Sequence, residues 1–72
     1  MIIDNEKLKK VYELAKQKDT LCYINDYVGK DEEEEITLED FKEYVKNNII
    51  SELQYDLNIC DDFLMENLIK EN

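Results

Sequence analysis

Residues 36–57 read ITLEDFKEYVKNNIISELQYDL, and this stretch decides the fold class. Thr37 stands at an N-cap position with Asp40 three residues on, the spacing of a capping box, in which each side chain satisfies a free amide of the other's backbone. Ile36 and Phe41 flank the cap at the two positions of a hydrophobic staple. Leu38, Phe41, Val45, Ile49 and Leu53 then recur at helical spacing, while Asp40, Glu43, Asn47 and Gln54 point the other way. The pattern predicts one helix from Thr37 to about 56–58, because further extension turns Glu52 and Asp56 into the core face. Tyr44 and Tyr55 fall at its margin.

Outward from this segment the same period returns. Toward the N-terminus, Asp4 is placed to cap a helix running to about Lys18, with Ile3 and Leu8 as its staple. Leu8, Val11, Tyr12 and Ala15 form the apolar stripe, and Lys7, Lys9, Lys10, Lys16 and Lys18 fall off it. Asp19 or Thr20 restarts the pattern, and residues 20–28 read as a short helix whose inner face is Leu21, Ile24 and Val28. The run Leu21-Cys22-Tyr23-Ile24 also fits a short strand, since a few apolar residues do not separate the two. Gly29 sits where a helix ends on a positive φ. Toward the C-terminus, a last helix covers about 59–70, with Asn58 or Asp61 as its cap. Its Ile59, Cys60, Phe63 and Leu64 make one apolar face; Met65 and Ile69 lie nearly opposite. Short connections and no convincing strand predict an all-α fold, a small bundle of three or four helices in one acidic domain spanning 1–72.

The whole chain has 72 residues, of which 43% are hydrophobic, with one Gly and no Pro, His or Trp; all its basic residues are Lys. So short a chain buries a small core, yet it is too rich in Ile, Leu and Tyr for a disordered acidic tail. No apolar run approaches the ~20 residues of a membrane span. The start Met1-Ile2-Ile3-Asp4 carries no secretory pattern, which gives a cytoplasmic expectation with Cys22 and Cys60 as free thiols packed like small apolar groups. Abundant Lys, Asn, Ile, Glu and Tyr without Arg or Pro is the codon signature of an AT-rich genome, that of a low-GC bacterium or its phage.

Several chemistries drop out. Nucleophilic triads and most metal enzymes want His, which is absent. Ser51 falls mid-helix with no base beside it, and carboxylate pairs need an enclosed pocket to separate their pKa values. The expectation is a protein that is not an enzyme. Acyl carrier proteins are also small, acidic and helical, but their Asp-Ser-Leu attachment motif is not matched by Ile50-Ser51-Glu52-Leu53. Residues 29–40 faintly resemble an EF-hand loop, with Asp31, Glu33, Ile36 and Asp40 at usable positions. Gly29 replaces the first carboxylate, however, and Glu34 the turn glycine. The segment from Asp56 to Asn67 fails similarly. No metal site and no cofactor motif is expected.

What remains is charge. Nineteen carboxylates against nine lysines leave a net charge of −10. Residues 1–18 carry +2 and residues 19–72 carry −12, so the molecule is expected to be a dipole with an acidic body. Such a surface opposes direct nucleic-acid binding. The run Asp31, Glu32, Glu33, Glu34 and Glu35 continues into Glu39, Asp40 and Glu43, and Asp61 and Asp62 open the last helix. A carboxylate array on a helical scaffold imitates nucleic-acid phosphates and attracts the groove of a basic, nucleic-acid-binding protein. Tyr23 and Tyr27, at i and i+4, add an exposed aromatic pair of the kind enriched in interfaces. These residues are the expected partner-binding set of a small inhibitor or regulator, similar in size and acidity to phage anti-defence proteins and to immunity proteins of nuclease toxins. The second reading is an interaction module or homodimer that uses an apolar face at Met65, Ile69 and Ile50.

Overall fold

Asp4 supplies the first start signal. Its carboxylate accepts from the amides of Glu6 and Lys7 at 2.9 and 3.4 Å, and helix α1 spans Asn5–Gln17. The computed structural model describes residues 4–31, 33–48 and 50–68, so the staple expected between Ile3 and Leu8 lies outside the described residues. Leu8, Val11, Tyr12 and Ala15 are buried along one stripe, as their spacing predicts.

Asp19 then ends α1 instead of restarting the pattern. It adopts a left-handed φ of 59°, its amide reaches the Lys16 carbonyl at 3.1 Å, and the Thr20 amide reaches back to Ala15 at 3.0 Å. This paired closure is the Schellman arrangement, with Asp19 where Gly is usual. The Thr20 hydroxyl donates to the same Ala15 carbonyl, so it does not cap the next turn of the chain. Residues 20–28 are helical but not uniformly so: a 3-10 turn, η1, covers Leu21–Ile24, and a single α turn, α2, covers Asn25–Val28. The three-residue period of η1 sends Leu21 and Ile24 inward together and leaves Cys22 and Tyr23 outside. Gly29 closes α2 at φ 69°, as expected.

The long helix expected over 37–57 is two helices, α3 over Leu38–Lys46 and α4 over Ile50–Leu57. The Thr37–Asp40 capping box is fully formed, and Ile36 and Phe41 are both buried beside it. The pair Asn47-Asn48 makes the break. Asn47 Nδ2 donates to the Glu43 carbonyl at 2.9 Å and Asn48 Nδ2 to the Tyr44 carbonyl at 2.8 Å. Those are the acceptors that the two backbone amides would use in a continuous helix; the amides turn instead to Tyr44 and Val45, three residues back. Val45 and Leu53 are buried as expected, while Ile49 lies outside the described residues. Tyr44, three residues after Phe41 on the inner face of α3, is buried to 2% exposure, which corrects its marginal placement.

Helix α4 stops where Asn58 takes a left-handed φ of 55°. The last helix, α5, is described over Asp61–Leu68, and the Cys60 carbonyl starts its ladder by accepting from Leu64 at 3.2 Å. Ile59, Leu64 and Leu68 are buried, and Phe63 packs against them. Cys60 is exposed because it precedes the first helical turn, and Cys22 is exposed in η1, so neither thiol packs as an apolar group. Met65 is half exposed; Ile69 lies outside the described residues.

Helix α5 packs on α1 and α4, α3 packs on α1 and α2, and η1 packs on α4. The result is a small all-α bundle, with five α-helices, one 3-10 turn and no strand among the described residues. Its core is one cluster in which Phe41, Leu8, Ile24, Leu53, Leu57 and Leu64 are fully enclosed. Truncating a buried Phe costs about 3–5 kcal/mol, comparable with the whole stability of a small domain. Among the described residues no helix is long and apolar enough to cross a membrane.

Candidate functional site

The acidic segment 31–43 is braced from below. Tyr12 of α1 donates its hydroxyl to the Ile36 carbonyl at 2.6 Å inside the core. Lys30 Nζ donates to the Glu35 carbonyl at 2.9 Å and forms an ion pair with Asp40. A turn closes between them, with the Glu34 amide on the Asp31 carbonyl at 3.0 Å and the Glu34 carboxylate accepting the Asp31 amide at 3.3 Å. Mutual repulsion keeps these carboxylates in solvent, while hydrogen bonds at Asp31, Glu34, Glu35 and Ile36 tie the described backbone around them to the fold.

This bracing sorts the expected site residues. Asp40 is absorbed by structure: it accepts from the Thr37 amide at 3.0 Å and the Thr37 hydroxyl at 2.9 Å and is paired with Lys30. The Lys30 hydrogen bond first, and the Thr37 amide second, hold its carboxyl below the usual 3.8. In return the Asp40 bond raises Lys30 above 10.5, against a smaller opposing effect of desolvation. Glu35 lies 3.9 Å from Lys16, a loose exposed pair. Asp31, Glu33, Glu39 and Glu43 are exposed, and no lysine among the described residues pairs with them. Glu39 and Glu43 do share a depression of about 370 Å³ with Lys42 and Lys46. Glu32 lies outside the described residues. The acidic strip is therefore narrower than the sequence suggested, and lysines of both α1 and α3 reach its edges.

Asp61 and Asp62 are exposed in the first turn of α5. That helix packs on α1 and α4, whereas α3, which carries the strip, packs on α1 and α2. With Cys60 they offer three ligand atoms within 4.8 Å of one another, a grouping the sequence pattern did not reveal. All three side chains are solvated, and nothing else there points to a cation.

Aromatic side chains form a second centre. Tyr23 and Tyr27 are 66% and 58% exposed, as their spacing opposite the inner face predicts. Tyr55, at 87% exposure on α4, joins Tyr23 and Asp56 around a depression of about 370 Å³. Beneath them Tyr27 meets Tyr44 edge-on at 5.2 Å, and the Tyr44 hydroxyl donates to Asp56 at 2.8 Å. Burial, then the Asp56 bond, pushes the Tyr44 phenol well above its usual 10, with Tyr27 and Glu52 adding to the effect. No sequence signal linked Tyr55 to Tyr23, because the break at Asn47-Asn48 brings their elements together.

A depression of about 590 Å³ is lined by Ser51, Gln54, Tyr55, Asn58, Ile59 and Cys60, with no carboxylate among them. Ser51 lies there in the first turn of α4 and not mid-helix. The EF-hand likeness weakens, since Asp40, its final ligand position, is engaged by Lys30 and Thr37. Comparison with protein-family models, with curated proteins and with solved structures gave no match to this chain.

Proposed function

We propose that this chain is a small acidic binding protein that occupies the basic surface of a nucleic-acid-handling partner and so inhibits or regulates it. One observation carries the reading: Asp31, Glu33, Glu39 and Glu43 project from a braced loop and helix without a lysine partner among the described residues, on a chain of net charge −10. A predominantly negative field of this kind accelerates encounter with a cationic groove and competes there with phosphates. The bundle supplies rigidity, so little ordering entropy is lost on docking.

The test is affinity capture on the immobilised chain from a cell lysate at low salt. The expected result is that retained proteins are nucleic-acid-binding, elute between about 50 and about 200 mM added salt, and are displaced by added DNA or RNA. Retention that ignores both salt and nucleic acid overturns the proposal. The second reading, docking through an apolar face, is favoured by the half-exposed Met65 and by the groove of about 480 Å³ that Leu14 and Phe63 line between α1 and α5. It predicts concentration-dependent mass in sedimentation, abolished by Met65→Glu and untouched by charge reversal at Glu33.

A further inference from the structure

We propose that Tyr23, Tyr27 and Tyr55 form a seat for arginine side chains of the basic partner, an inference that rests on the proposed function and names a second contact within it. Tyr23 of η1, Tyr27 of α2 and Tyr55 of α4 stand in solvent at 66%, 58% and 87% exposure. Tyr27 packs edge-on against buried Tyr44, whose hydroxyl is tied to Asp56, and Asp56 lines the same depression as Tyr23 and Tyr55. Two exposed rings thus stand beside a carboxylate, and Tyr27 is linked to it through Tyr44.

The chemistry of that combination selects its occupant. Tyrosine faces attract cations, and a guanidinium stacks on them while its edge pairs with a carboxylate. Within the described residues the chain does not fill the seat itself: its cation–π contact is Lys16 over Tyr12, and its ion pairs are Lys16–Glu35 and Lys30–Asp40. Nucleobases also stack on exposed tyrosines, but their phosphates would enter a field set by a net charge of −10. A second copy of the chain would bring the same sign of charge to the same place, which disfavours a dimer here.

The experiment titrates isotope-labelled protein with a short peptide alternating Gly and Arg, and with its Lys counterpart, reading ring resonances of the tyrosines and amide resonances of residues 31–35. The Arg peptide is expected to bind about two- to fivefold more tightly per ring engaged, shifting Tyr23 and Tyr55 first. Tyr55→Ala and Tyr23→Ala should remove the Arg preference, and Tyr55→Phe should keep it, since the ring face is retained. Equal affinity for both peptides, or shifts confined to residues 31–35, overturns the seat and leaves the acidic strip standing. If neither peptide binds at low salt, both proposals are overturned.

Discussion

The Tyr44 hydroxyl donates to the Asp56 carboxylate at 2.8 Å across twelve residues of sequence. An unbroken helix would hold those residues about 18 Å apart along its axis. The bond therefore belongs to the bend between α3 and α4, and it ties the C-terminal ends of the two helices together under the exposed tyrosines.

Removing that hydroxyl tests the tie. Tyr44→Phe keeps the ring and leaves Asp56 without its donor, an expected loss of about 1.5–2 kcal/mol for a part-buried bond to a charged acceptor. Urea unfolding of the two proteins measures it. The difference should also depend on pH. Because burial and Asp56 raise the folded phenol above the ordinary 10.0, the folded state keeps a proton that the unfolded state releases. The contribution is whole below 10.0 and shrinks as pH rises beyond it, so the gap between wild type and Tyr44→Phe should close in alkali. A gap that widens there contradicts the assignment.

Much of this fold was legible from residue order because local signals and burial agree. The Thr37–Asp40 box, the Asp4 cap, the Gly29 terminus and the stripe from Leu8 to Ala15 are all decided within one or two helical turns. What was not legible is competition. Asn47 and Asn48 lie off the apolar stripe and look like ordinary surface residues, yet their side-chain amides displace two backbone donors and end α3. Asp19 misled in the same way, because a residue that often starts a helix here closes one. The site inherits the same kind of competition. Asp40 reads as one more carboxylate in an acidic run, and only the folded chain brings Lys30 back onto it.

That fold-back predicts an acid-sensitive contribution to stability. The folded Asp40 carboxyl titrates below the ordinary 3.8, so its contribution is present above that value and is lost as pH falls through the folded one. Wild type should therefore exceed Asp40→Asn at neutral pH and converge with it in acid. Lys30→Met should remove most of the difference, since the pair acts as a unit. A gap that stays constant down to full protonation would contradict the pairing.

Two left-handed residues offer a stabilising change. Asp19 at φ 59° and Asn58 at φ 55° occupy a region that costs an L side chain about 1–2 kcal/mol, less for Asn and Asp than for others. Asp19→Gly and Asn58→Gly should each raise the denaturation midpoint, by about 0.5 kcal/mol net after the greater freedom of glycine in the unfolded chain is counted. Gly29 provides the converse. A Cβ there meets open space, so Gly29→Ala tests φ alone and should cost about 1 kcal/mol. Equal midpoints for all three variants would mean that these termini do not limit stability.

The sorting of the acidic strip into braced and unpaired carboxylates leads to the sharpest contrast. Glu33 and Glu39 are exposed and bond to no lysine among the described residues, so Glu33→Lys with Glu39→Lys should shift folding stability by no more than about 1–2 kcal/mol, most of it from Glu39 in the first turn of α3, where the helix N-terminus favours a carboxylate. The same double reversal should weaken capture of basic partners strongly and flatten its salt dependence, because it removes two negative charges from the field and adds two positive ones. Asp40→Asn should lower stability while weakening capture far less than the double reversal does, since it changes the net charge by one unit instead of four and leaves Lys30 without its partner. Measuring urea midpoints and salt-dependent capture on wild type and these two variants separates the roles. If the reversed protein binds as before and still releases its partner with salt, the contact lies elsewhere on the acidic body, and the braced loop serves solubility.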